Sequence, residues 1–126
     1  MRGQNPNSKV TLSSFKYELI DRGPNYMRCA IKSVELLKIT YLSLPDNMLG
    51  RAESKMLAAM IAANPPLRIL NLETNNLDAS CARLLGEAIE SNTNLQWLNI
   101  SKNKLSDMGI NFLLQSLIKS KIALNK

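Results

Sequence analysis

The sequence predicts an α/β fold in which short parallel strands alternate with helices as stacked, repeated units. An eleven-residue pattern recurs in phase at a spacing of 28 residues, and an apolar periodicity of helical type follows each copy. The composition agrees: apolar residues make up 45% of the chain but aromatic residues only 5%, so the core must be built from aliphatic side chains. At 126 residues there is room for one domain.

In chain order, residues 1–10 are polar, with Gly3 and Pro6, and are expected to form a disordered tail. Residues 11–38 hold an apolar cluster (Leu12, Phe15, Tyr17, Leu19, Ile20), a turn signal at Asp21-Arg22-Gly23-Pro24-Asn25, and a helical pattern from Met27 to Leu37. With Met27, Ala30, Ile31 and Val34 on one helical face, this segment reads as a degenerate repeat capping the N-terminal end, slightly out of phase.

The first regular unit, 39–66, opens with Ile39-Thr40-Tyr41-Leu42-Ser43-Leu44-Pro45-Asp46-Asn47-Met48-Leu49. The second, 67–94, opens with Leu67-Arg68-Ile69-Leu70-Asn71-Leu72-Glu73-Thr74-Asn75-Asn76-Leu77. The third, 95–122, opens with Leu95-Gln96-Trp97-Leu98-Asn99-Ile100-Ser101-Lys102-Asn103-Lys104-Leu105. All read L-x-x-L-x-L-x-x-N-x-L, with Ile at two of the Leu places. The alternation around Leu70 and Leu98 is that of a short half-buried strand. Asn47, Asn75 and Asn103 stand where the chain leaves the strand, and a buried amide there can bond the backbone of adjacent turns, so these asparagines are assigned a structural role. Helical patterns follow: Met56, Leu57, Met60 and Ile61 ending at Pro65-Pro66; then Leu84, Leu85, Ala88 and Ile89; then Phe112, Leu113 and Leu117 behind a cap signal at Ser106-Asp107. Residues 123–126 either end the chain's last unit as a minimal cap or start a further repeat of a longer array.

These motifs resemble the leucine-rich repeats of the ribonuclease-inhibitor-like type, and the resemblance covers residues 39–122. It implies a solenoid with parallel strands on the concave face and helices on the convex face. Leu67 to Asn75, together with Leu84-Leu85-Gly86-Glu87-Ala88-Ile89-Glu90-Ser91-Asn92-Thr93-Asn94-Leu95, is also similar to the tropomodulin and leiomodin repeat domain. That second resemblance implies a cytoskeletal partner, actin.

On a concave strand face the outward places carry no structural duty. Tyr41, Ile69 and Trp97 occupy the third place of each unit and would lie side by side, roughly 5 Å apart across adjacent strands. An apolar and aromatic row ringed by polar residues has the make-up of a protein-interaction hot spot. Ser43, Asn71 and Asn99 are its neighbours, with Glu73 and Lys102 nearer the turns, and this mixture suits a protein surface. The expected function is therefore non-catalytic protein binding on the concave face. The alternatives are an actin-filament regulator of tropomodulin type, or a structural subunit of a larger ciliary or ribonucleoprotein assembly.

Other classes fare poorly. The chain has no histidine, so Ser-His and Cys-His nucleophile pairs are impossible, and its five glycines form no phosphate-binding loop. With two cysteines, Cys29 and Cys81, no zinc cluster or disulfide framework is expected, and no cofactor or small-molecule substrate is implied. The net charge of +6 is carried by the ends: Lys and Arg outnumber Asp and Glu by 7 to 3 over residues 1–38 and by 5 to 1 over 95–126, against 4 to 6 between. Its lysines are scattered singly, without the density a phosphate backbone demands, so nucleic acid is not the expected partner. No apolar run approaches the length of a membrane span and the first residues lack a signal-peptide core, so the expected location is the cytoplasm.

Overall fold

The computed structural model describes residues 9–11, 31–32, 34–35, 38–120 and 123–125. Strands of three residues alternate with longer helices: β1 (Lys9–Thr11), β2 (Tyr41–Ser43), α1 (Arg51–Ala62), β3 (Ile69–Asn71), α2 (Ala79–Glu90), β4 (Trp97–Asn99), α3 (Ser106–Ser120) and β5 (Ala123–Asn125). The five strands form one parallel sheet in sequential order. α2 packs between α1 and α3, so the helices form a second layer in the same order. The chain is thus an α/β fold of repeated strand–helix units.

Register follows from the repeat. Leu42, Leu70 and Leu98 are aligned partners across β2, β3 and β4, and each is fully buried. Leu44, Leu72 and Ile100 form the next buried row, and Leu49, Leu77 and Leu105 a third. A one-residue slip would turn every one of these side chains out of the core, so the apolar pattern admits only this pairing. The sheet continues past the strands proper. The Leu44 and Leu72 N–H groups donate to Asn71 and Asn99 carbonyls, and those of Asn76 and Lys104 to Leu49 and Leu77 carbonyls, at 2.7–2.9 Å.

On the helix side, Leu57, Met60 and Ile61 of α1, Leu85, Ala88 and Ile89 of α2, and Leu113 and Leu117 of α3 complete the core. Three expected helix-core residues differ. Met56 and Leu84 are only half-buried, and Phe112 lies at the surface with 36% of its area exposed. Phe112 falls on the solvent side of the α2–α3 contact, where the Arg83 guanidinium sits 5.4 Å from its ring centre and shields it instead of the core. Cys81 is fully buried in α2 and behaves as a small apolar side chain.

The strands at either end depart from the period of 28. Lys9 pairs with Tyr41 and Trp97 with Ala123, spacings of 32 and 26 residues. Lys9 and Val10 belong to a strand although composition placed them in a polar tail; the open edge of β2 offers them backbone partners, which composition does not record. In the expected capping segment, helical turns occur at 31–32 and 34–35, Val34 is fully buried and Ile31 packs on the core. Its remaining features, including Met27, Cys29 and Ala30, lie outside the described residues.

Candidate protein-binding surface

A surface built on three-residue strands needs something besides strand pairing to hold it flat, and the asparagines supply it. Asn75 is spent on backbone: its Nδ2 donates to the carbonyls of Leu44, Leu72 and Glu73 at 3.0–3.2 Å. Its Oδ1 accepts from the Asn47 and Leu49 N–H groups at 2.8 and 3.0 Å. One unit later Asn103 repeats the scheme. Its amide donates to Leu72, Ile100 and Ser101 carbonyls at 2.9–3.1 Å. Its Oδ1 accepts from the Asn75 and Leu77 N–H groups at 3.1 and 3.0 Å. Asn47, fully buried, donates to the Pro45 carbonyl at 3.1 Å. Asn75 and Asn103 therefore each tie their own turn to the turn before it, answering buried backbone groups that no strand partner reaches.

A second polar seam, at the return from helix to strand, was not anticipated. Asn92 donates to the Ile61 carbonyl at 2.8 Å and accepts from the Asn94 and Leu95 N–H groups. Asn64 accepts from the Thr93 N–H, and Asn94 donates to the Asn64 and Pro65 carbonyls. Asn64 and Asn92 also stand 28 residues apart, so the signal was in the sequence, outside the eleven-residue motif.

Between these seams lies the row of third-place residues. Tyr41, Ile69 and Trp97 are direct cross-strand partners, all half-buried, and with Gln96 they line one shallow depression of about 440 Å³. A second hollow of about 280 Å³, lined by Thr40, Arg68, Thr93, Asn94 and Gln96, adjoins it through Gln96. The apolar row thus has a polar margin carrying one exposed cation, Arg68.

The neighbouring candidates are placed differently. Ser43 and Asn99 are buried, with 4% and 7% of their areas exposed, and Asn71 is half-buried. Their polar groups serve the sheet: Asn71 Nδ2 donates to Ser43 Oγ at 3.0 Å, and its Oδ1 accepts from the Glu73 N–H. Asn99 Oδ1 accepts from the N–H and hydroxyl of Ser101 at 2.9 and 2.6 Å. A strand only three residues long turns at once, and fifth-place side chains are drawn into closing that turn rather than left outward. Glu73 is half-buried and Lys102 exposed at the turn end. Asp46, Thr74 and Lys102 share a left-handed backbone (φ 57°, 57° and 58°), so the same tight turn brings each asparagine into place.

The displaced titration of Asp78 lies apart from this row. Asp78, the N-cap of α2, accepts from the Ser80 hydroxyl at 2.6 Å and the Cys81 N–H at 3.1 Å. Those bonds, the Ser80 hydroxyl foremost, lower its carboxyl from 3.8 to about 2. This is capping chemistry and needs no ligand. Among the described residues no group of three or more His, Cys, Asp and Glu is placed to hold a metal ion, and no helix is long and apolar enough to cross a membrane.

A single parallel sheet, its strands in chain order and its helices layered against it, defines the class: an α/β domain of repeated strand–helix units. Within that class the fold is similar to the tropomodulin C-terminal domain of Caenorhabditis elegans, with a TM-score of 0.75 and 18% identity over 94% of this chain and 72% of that one. It is also similar to leiomodin-1 actin-binding site 2, with a TM-score of 0.78 and 14% identity over 94% of this chain and 69% of that one. No protein-family model matches the sequence, and no curated protein matches it.

Proposed function

We propose that the chain is a non-catalytic protein-binding module, its units stacked as a leucine-rich-repeat solenoid of the ribonuclease-inhibitor-like type and its partner seated on the concave strand face. The observation that carries this reading is the alignment of Tyr41, Ile69 and Trp97 as neighbours in one depression, half-buried and rimmed by Gln96 and Arg68. An apolar floor with a polar margin is the pattern of an interface anchor. Tyr41, Ile69 and Trp97 are the anchors, and Asn71, Glu73 and Lys102 offer polar contacts beside them. Ser43 and Asn99 contribute by shaping the floor.

A second reading makes the partner actin, in the cytoplasm, and one finding favours it: a domain of the same fold is leiomodin-1 actin-binding site 2. One experiment addresses both. The immobilised chain is offered purified monomeric actin, actin filaments and a cytoplasmic extract, beside a Trp97→Ala, Tyr41→Ala double variant whose circular dichroism matches the parent. The expected result is a partner held by the parent and bound about thirty-fold more weakly by the variant, the loss of roughly 2 kcal/mol that marks a hot spot. Equal binding by the variant would remove the strand face from consideration. Retention of another protein with no actin would leave the face and discard the cytoskeletal reading.

A further inference from the structure

We propose, on the reading of the strand face as a docking surface, that its partner is an extended protein segment with an acidic side chain two residues from a large apolar one. Arg68 holds the carboxylate, and the apolar group seats on Tyr41, Ile69 and Trp97. The charge of the face is divided along the strand direction. At the strand entries, residues 38–41, 66–69 and 94–97 include two cations, Lys38 and Arg68, both exposed, and no acid. At the strand exits, Pro45-Asp46, Glu73-Thr74 and Ser101-Lys102 include two acids and one cation. A segment carrying negative charge is therefore drawn to the entry side and meets net negative charge at the other.

Arg68 is placed to use that difference. Its N–H donates to the Thr40 carbonyl at 2.9 Å, and its carbonyl accepts from the Gln96 and Trp97 N–H groups at 2.7 and 3.1 Å. The side chain is thus rooted at the middle of the three entries, on the hollow of about 280 Å³ that adjoins the apolar depression at Gln96. No acid lines either hollow, and among the described residues the Arg68 guanidinium has no ion pair. The exposed Arg83, in contrast, is paired with Glu87 at 3.6 Å. Amides beside Arg68 are already committed: Asn94 Nδ2 donates to the Asn64 and Pro65 carbonyls, and Asn64 Oδ1 accepts from the Thr93 N–H.

A guanidinium only donates, through N–H groups set in a planar fork, and a carboxylate accepts two of them at once. A carboxylate carries one charge, which the single cation of the hollow matches; a phosphate carries nearly two. The spacing follows from extended geometry. Side chains two residues apart project to the same side, about 7 Å from each other, a separation that an arginine rooted one residue from the apolar row can span. An acid next to the apolar residue would point away.

The test titrates the whole chain with short acetylated and amidated serine peptides carrying Glu-Ser-Phe or Phe-Ser-Glu. Binding is read from Trp97, the chain's one tryptophan and part of the depression. One of the two orders is expected to bind, with its glutamine analogue, and a peptide with glutamate moved next to phenylalanine, each about five-fold weaker. Arg68→Gln should erase the preference for glutamate, and Arg68→Glu should reverse it in favour of a lysine peptide. Arg51→Gln, an exposed arginine at the start of α1, should bind as the parent does. Equal binding of the glutamate and glutamine peptides, or a preference that survives Arg68→Gln, would overturn the acidic partner and leave the strand face standing. Binding that needs glutamate but is unchanged when phenylalanine becomes serine would remove the apolar row, and the reading of the face with it. Failure of every peptide to bind would also overturn the proposal, while partner capture by the parent chain would still decide the face.

Discussion

At the scale of single residues, Asn75 does the most that one side chain can do here, with five hydrogen bonds to backbone atoms. Replacing it by alanine strands buried N–H and carbonyl groups of two neighbouring turns, a cost per group far above the worth of an average hydrogen bond. Asn75→Ala should therefore lower stability by about 3 kcal/mol, read as a reduced urea midpoint. Asp78 gives a prediction with a sign. Its folded-state carboxyl, at about 2, lies below its ordinary value of 3.8, so its contribution is fully present above that value and is lost as pH falls through about 2. Asp78→Ala should cost about 1 kcal/mol near neutrality, the usual worth of an N-cap. That gap between parent and variant should narrow steadily as denaturant curves are repeated from pH 4 down to pH 2. Asp78 is exposed, and its effect is confined to the start of α2.

Among elements, the contact between α2 and α3 sets the spacing of the helix layer. A Cβ added at Gly109 would meet the Ala79 Cα at 3.0 Å, which is backbone and cannot swing aside. Alanine at Gly109 gains about 1 kcal/mol of helix propensity but must push the two helices apart. We expect the collision to win, with Gly109→Ala destabilising by roughly 1–2 kcal/mol. Calorimetry decides: a higher melting temperature would show that the helices part freely. The strands present the opposite case. At three residues each they have little pairing of their own, and the asparagine seams at Asn75–Asn103 and Asn64–Asn92 carry the register past their ends.

For the molecule as a whole, the consequence is cooperativity. Leu42, Leu70 and Leu98 form a buried row across three units, so no unit encloses its own core and each depends on its neighbours. Leu70→Ala, in the middle of that row, should cost about 3 kcal/mol through the cavity it leaves. Fluorescence from Trp97, one strand away, should report the same lowered midpoint as circular dichroism, because the units unfold together. Two separate transitions would show that the units are energetically independent.

Much of this was legible in the residues. A strict period of 28 with leucines at alternating places determines strand, turn and helix, since any other folding of Leu67 to Leu77 would expose them; it also aligns Tyr41, Ile69 and Trp97. Three things depended on the tertiary structure. Ser43 and Asn99 are withdrawn from the surface, because burial depends on how soon a three-residue strand turns, and alternation cannot state that. Lys9–Thr11 joins the sheet because β2 has an open edge, a property of a neighbour distant in sequence. Phe112 is shielded by Arg83 and Ile118 is left bare, because exposure on a helix depends on which helix lies beside it, and pattern alone marks both simply as apolar.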